Sequence, residues 1–180
     1  MTETIDLKLI DSCIKGDRAA QKALYDRLAP RMFPLCIRYV GDRDQAEDIL
    51  QDGFVTLFTR LDSYKGDGSF EGWARRIFVT TALMSLRKKD ALKMSDDLQA
   101  ARGLKTDTAS QVQNIGYKEL MGLIMTLPPG FRTVFNMYAI EGYSHKEIGQ
   151  MLGISETTSR TQLSRARIWL QNKIKERENV

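Results

Sequence analysis

The sequence predicts an all-α protein of two small helical domains joined by a flexible linker, the C-terminal domain being a helix-turn-helix. Three observations carry that prediction. Apolar residues recur at helical spacing through most of the chain, and no alternating strand pattern of useful length interrupts them. Between about residues 90 and 114 the apolar pattern fades and Ser, Thr, Asp, Gln and Ala take over, as in a polar tether. Toward the C-terminus a capped helix, a glycine and a second capped helix follow in order. A chain of 180 residues fills two modest cores more readily than one large one. Domains are therefore expected over 1–95 and 115–180, with the linker over 96–114.

In the first domain, Leu7, Ile10 and Ile14 share one helical face. Gly16 and Asp17 close that helix and open a second, which carries Ala20, Ala23, Leu24 and Leu28. A third helix is expected over 44–61, with Asp44 as N-cap and Glu47 as its capping-box partner. Its wheel places Ala46, Leu50, Gly53, Phe54, Leu57 and Leu61 on a buried stripe, while Asp48, Gln51, Asp52 and Val55 line the opposite side. "SYKGDGS" reads as a loop. After it, "FEGWARRIFVTTALMSLRKK" reads as a helix with aromatic residues at one end and cations at both. In the second domain, the pattern of Tyr117, Leu120, Leu123, Ile124 and Leu127 stops at "LPPG", where paired prolines bar continuation. Further helices are expected over 132–141, 144–152 and 155–175.

Composition narrows the function. Lys plus Arg is 27 against 23 for Asp plus Glu, a net charge of +4, which makes nucleic acid a plausible partner. One histidine and two cysteines are too few and too scattered for a zinc site, and Cys13 and Cys36 are expected as buried thiols. No run approaches the length of a membrane span, and the opening "MTETIDLKLID" lacks the basic and apolar stretches of a signal peptide, so a cytoplasmic protein without membrane insertion is expected. No cofactor motif and no catalytic constellation stands out. A metal-dependent nuclease would rest on Asp44, Asp48 and Asp52 alone, a straight ridge without facing ligands or a general base.

In the helix-turn-helix, Ser144 and Glu147 form a capping box, Gly153 ends the first helix and Ser155 caps the second. Leu163, Ala166, Leu170 and Ile174 cluster on one side of that second helix. Thr157, Thr161, Ser164 and Arg165 point the other way and form the candidate base-reading face, with Arg160 and Arg167 at its flank for phosphates. His145 reads as an exposed polar residue, and Met137 and Tyr143 as core. The first domain carries two surfaces of opposite sign: four acids and no bases over 44–52, six bases and two acids over 70–93. The acidic one is a solvated face, a metal site or a protein docking site. On the basic helix, Trp73 and Phe78 with Arg75, Arg76, Arg87, Lys88 and Lys89 suit opened DNA, where exposed bases stack. Phe78 reads as core, and Trp73 as either core or a stacking residue.

Taken together, "AEDILQDGF", "FEGWARRI…LRKK" and "LPPGFRTVFNMYAIEGYSHKEIGQMLGISETTSRTQLSRAR" resemble the extracytoplasmic-function class of bacterial RNA polymerase sigma factors. The C-terminal half alone also fits the DNA-binding part of response-regulator activators. The sigma resemblance covers both domains and implies a non-enzymatic initiation factor that binds core RNA polymerase, recognises minus-ten and minus-thirty-five promoter elements and aids DNA opening. It assigns Asp48, Gln51 and Asp52, with Val55 beside them, to the β′ clamp helices. Trp73, Arg75, Arg76, Thr80, Arg87 and Lys88 fall to the minus-ten element. Thr157, Arg160, Thr161, Ser164, Arg165 and Arg167 fall to the minus-thirty-five element, with the β flap nearby and an anti-sigma factor as a frequent family partner. This chain departs from the pattern at Thr80, often Asn, and at Met84, often Asp. It departs again at Thr157, Ser159 and Gln162, which replace a frequent Gly, Val and basic residue. From that, Ser159 is expected to loosen packing and Gln162 to remove one phosphate contact.

Overall fold

The structure is a computed structural model that describes residues 5–88 and 116–178. Eight α-helices and no strand occur among the described residues, and the chain divides into two compact units, 1–85 and 86–180. The linker expected over 96–114 lies outside the described residues.

In the first unit, α1 (Leu7–Ile14) is capped by Asp6, whose side chain accepts from the Leu9 amide at 2.8 Å. Its buried residues are Ile10 and Cys13; Leu7 and Ile14 are 63% and 47% exposed, so the face expected from them is rotated. In an eight-residue helix only the residues three apart at its centre face the neighbour, and those at the ends flank the contact. The next helix, α2 (Arg18–Val40), starts at Asp17, which accepts from the Ala19 amide at 2.8 Å, and ends at Gly41 with φ +78°. It buries Leu24, Leu28, Met32, Leu35, Cys36 and Tyr39. Its internal prolines, Pro30 and Pro34, sit four apart on the exposed face, away from that buried stripe. Cys13 and Cys36 are free and buried, as expected, and burial pushes the Cys36 thiol up to about 12.

The third helix, α3 (Arg43–Thr59), begins two residues earlier than expected from Asp44 as its cap. Asp42 has the extended backbone that an N-cap requires and accepts from the Gln45 amide at 2.9 Å. Asp44 instead lies in the first turn, where a negative charge complements the helix dipole. The helix also stops before Leu61, which is buried in a separate 3₁₀ turn, Leu61–Ser63. A loop with Gly66 and Gly68 at positive φ leads to α4 (Phe70–Lys88).

The stripe of Ala46, Leu50, Gly53, Phe54, Leu57 and Leu61 is buried as expected. At its centre Phe78 of α4 lies edge-on to Phe54, ring centroids 5.1 Å apart, and is itself fully buried. Gly53 is what lets that ring approach, because a Cβ there would overlap Phe78.

In the second unit, α5 (Tyr117–Met125) ends before Pro128, and α6 (Pro129–Phe135) begins with Pro129 at its first position. That start is earlier than the expected 132, since a proline whose missing N–H has no partner to lose is well placed in a first turn. A π-helical segment, Asn136–Ile140, follows, marked by the Glu141 amide donating to the Asn136 carbonyl at 2.9 Å. The helix-turn-helix proper is α7 (His145–Leu152) and α8 (Glu156–Glu178). Leu163, Ala166 and Leu170 of α8 are buried, and Ala166 and Leu170 join Leu123, Ile124, Leu127 and Phe131 in one core, with Ile174 half-buried against it.

Gly53→Ala is expected to destabilise the first unit by about 1–3 kcal/mol, because the fully packed Phe78 ring has nowhere to move. Urea unfolding of the parent and variant chains measures this directly.

Candidate functional site

On α3, burial of the opposite stripe turns Asp48, Gln51, Asp52 and Val55 outward, and all four are exposed. Charge along this ridge is unevenly compensated. Glu47 is paired with Arg43 one turn earlier, at 3.0 Å, whereas Asp48 and Asp52 have no ion-pair partner among the described residues. Val55, 67% exposed, stands in the same row as Asp48 and Asp52; on the buried stripe, the partly exposed Tyr25 ring packs on Phe54 with centroids 4.4 Å apart. The row thus carries two uncompensated carboxylates and, one turn further on, an exposed apolar side chain. No group of three or more metal-ligating side chains able to hold an ion occurs among the described residues.

On α4, Phe78 is core as expected, and Trp73 is half-buried. The Trp73 ring lies 5.5 Å from both Phe70 and Tyr64, and the Tyr64 hydroxyl donates to the Gly68 carbonyl at 2.8 Å, so the loop and the start of α4 hold the indole together. Arg76, Thr80, Met84 and Arg87 run down one exposed side at helical spacing, Met84 60% exposed. Arg75 is half-buried, and Lys88 ends the helix with its side chain outside the described set. The Thr80 hydroxyl donates to the Arg76 carbonyl at 2.8 Å, which leaves only its acceptor capacity for a ligand.

The C-terminal motif is assembled by caps. Ser144 and Glu147 make the complete capping box, Gly153 closes α7 at φ +71°, and the Ser155 hydroxyl accepts from the Thr158 amide at 3.0 Å. The turn is tight: a Cβ on Gly149 would stand 2.8 Å from the Ile154 carbonyl oxygen. With Leu163, Ala166 and Leu170 buried, Thr157, Arg160, Thr161, Ser164 and Arg167 are exposed and Arg165 is half-exposed. Arg160 is ion-paired with Glu156, so a phosphate meeting it must compete with a carboxylate. The Arg167 guanidinium lies over the Tyr138 ring, 5.9 Å from its centroid.

Three expectations in this region are corrected. His145 is buried, 8% exposed, and its Nδ1 is hydrogen-bonded to the Ser159 hydroxyl, 2.9 Å away. Ser159, fully buried, is therefore tied down by a partner on the bracing helix, which replaces the loosened packing expected of it. Gln162 is 3% exposed and faces the core, so it does not stand where a basic residue would meet a phosphate. The signal for both buried positions was in the wheel: 159 and 162 lie four residues before Leu163 and Ala166 on the apolar stripe. Of the two residues expected as core, Met137 is fully buried and Tyr143 half-buried.

Comparison with known proteins gives two family matches, "Sigma-70 region 2" over residues 24–92 and "Sigma-70, region 4" over residues 117–170. An ECF RNA polymerase sigma factor, SigE of Mycolicibacterium smegmatis, is 31% identical over 166 residues, a match that covers 87% of this chain and 63% of that protein's length. The ECF RNA polymerase sigma-E factor of Haemophilus influenzae is 25% identical over 180 residues, covering 94% of this chain and 95% of its own. Its counterpart in Escherichia coli is 28% identical, with 94% of each chain covered. Among solved structures, the sigma factor RpoE of Bartonella quintana, in complex with the anti-sigma factor NepR, aligns with a TM-score of 0.54 at 20% identity, covering 86% of this chain and 96% of that one. CnrH, in complex with the cytosolic domain of CnrY, aligns with a TM-score of 0.50 at 23% identity, covering 93% and 96%. At these identities the structural matches speak for the fold.

His145 is held below its ordinary pKa of 6.5, first by burial and then by the Arg160 and Arg167 guanidinium groups, with Glu156 pulling the other way. From about pH 6.5 downward the unfolded chain takes up a proton that the folded chain refuses. Stability is therefore expected to fall with pH from there to the lowered folded pKa, and to gain nothing from this group above pH 6.5. His145 is the chain's one histidine, so its imidazole resonances titrate without overlap. A midpoint below 6.5 and an acid-side loss of stability that shrinks in His145→Asn are the expected results.

Proposed function

Because the chain belongs to the extracytoplasmic-function class of RNA polymerase sigma factors, we propose that it is a non-enzymatic initiation factor of the cytoplasm that binds core RNA polymerase and directs it to a limited set of promoters. No helix among the described residues is long and apolar enough to cross a membrane. The observation that carries the reading is the α3 ridge, where uncompensated Asp48 and Asp52 are followed one turn on by an exposed Val55. Such a surface repels DNA and favours a basic protein partner that also offers an apolar contact, which an ordinary DNA-binding regulator has no use for. Asp48, Gln51, Asp52 and Val55 are the proposed contacts to the β′ clamp helices.

On α4, the proposed minus-ten contacts are Trp73, Arg75, Arg76, Thr80, Arg87 and Lys88. Trp73 offers a half-exposed ring next to the loop, on which an unstacked base can rest while the cations hold the separated strand. On α8, Thr157, Thr161, Ser164 and Arg165 are the proposed readers of the minus-thirty-five element, with Arg160 and Arg167 on phosphates. Thr161 donates to the Thr157 carbonyl at 3.0 Å, so its hydroxyl is left to accept, as from the amino group of cytosine or adenine. The β flap and an anti-sigma factor are further proposed partners.

Reversing charge at Asp48 and Asp52 together, each to Lys, is expected to weaken binding to purified core polymerase at least about tenfold while leaving the unfolding midpoint near that of the parent. Undiminished binding would withdraw the α3 assignment and place the polymerase contact on another surface of the chain. For α8, Arg165→Ala is expected to cost about 1–3 kcal/mol in promoter binding if Arg165 makes a bidentate base contact. Equal loss on unrelated sequences assigns it to a phosphate.

A further inference from the structure

Along one side of α8 runs a column of side chains, buried at Ser159 and His145 and exposed at Tyr138 and Arg167, that touches that helix twice. Ser159, in its first turn and fully buried, is hydrogen-bonded to Nδ1 of His145 at 2.9 Å. His145 opens α7, and its ring stacks on Tyr138 with centroids 4.4 Å apart and planes 19° from parallel. Tyr138 belongs to the π segment, and Arg167, two turns beyond Ser159 on α8, lies over its ring. The path thus leaves α8 at Ser159, crosses the bracing helix and the π segment, and returns to α8 at Arg167.

Two points of attachment on one helix fix more than one does. The Ser159 bond sets how far the N-terminal turn of α8 stands from α7, and the Tyr138 ring gives Arg167 a flat perch that restricts its rotamers. The apolar side chain that the family often has at 159 would pack here without direction. A serine paired with a buried imidazole gives a directional link instead, and breaking one side strands a buried polar atom on the other.

We propose that His145 is a positioning residue for DNA binding, which, held in place by Ser159, presents Arg167 to a backbone phosphate through the Tyr138 ring. This rests on the reading of α8 as the DNA-binding helix. His145 itself, 8% exposed, touches no DNA.

The test uses the full chain and a labelled mixed-sequence duplex, with affinity measured by anisotropy over a range of salt. Arg167→Ala is expected to weaken binding and to lower the slope of log K against log salt by about one. His145→Leu is expected to reproduce both effects, and the double variant to bind no more than about twofold weaker than Arg167→Ala alone. His145→Asn keeps a hydrogen-bonding atom where Nδ1 stands, and is expected to fall between the parent and His145→Leu. A His145→Leu chain that keeps the parent slope, or whose loss adds in full to that of Arg167→Ala, would overturn the proposal, since a merely structural residue shifts the unfolding midpoint and not the count of phosphates met. Should His145→Leu be unfolded under assay conditions, His145→Asn decides by the same two criteria. An Arg167→Ala chain that binds like the parent, or a parent that shows no binding for Arg167 to contribute to, would remove Arg167 as a phosphate contact of the free chain, and this inference with it.

Discussion

Each surface of this protein exists because a helix is gripped along one stripe. Once Gly53 and Phe54 are pressed against Phe78, the rotation of α3 about its axis is settled and every other side chain on it points in a fixed direction. The same holds for α8, where Ala166 and Leu170 are locked into the core formed with Leu123, Ile124, Leu127 and Phe131. Apolar burial does not itself bind a partner. It determines which residues are left to do so, and a closely packed stripe holds that direction without slack.

Charge then differentiates the exposed faces. Lys22 with Asp26, Arg43 with Glu47, and Arg160 with Glu156 are exposed pairs at i and i+4, and each contributes little to stability. Their larger consequence is local neutralisation, which concentrates the remaining field elsewhere. On α3 the negative field is left to Asp44, Asp48 and Asp52, with Val55 one turn beyond, and on α8 the positive field shifts from Arg160 toward Arg167. A factor that must bind both a protein machine and its polyanionic template needs this separation, since one surface of mixed sign would serve neither.

The turn between the two helices of the motif shows how polar groups can do the work of apolar ones. Caps at Ser144, Glu147, Gly153 and Ser155 satisfy the helix ends, and close approach at Gly149 fixes the turn. Behind them, the wider π turn at Asn136–Ile140 supplies the ring on which His145 stacks. The second unit is thus seated by an apolar core on one side of α8 and by a directional polar contact near its N-terminus.

By itself the sequence determined the helical class, the helix-turn-helix with its caps, the buried stripe of α3 and the outward direction of the acidic ridge. These follow from local rules, a 3.6-residue period, capping chemistry and the bar that proline sets, all of which act within a few residues of chain. It misjudged the cap of α3, because Asp42 and Asp44 are chemically alike and only backbone geometry separates them. It also misjudged His145, Ser159 and Gln162, because a polar side chain can be buried when a partner from a distant segment satisfies it or when the stripe it lies on is covered by a neighbouring helix. That partner for His145 lies 14 residues away on another helix, and which residues meet across such a gap is settled by packing in three dimensions.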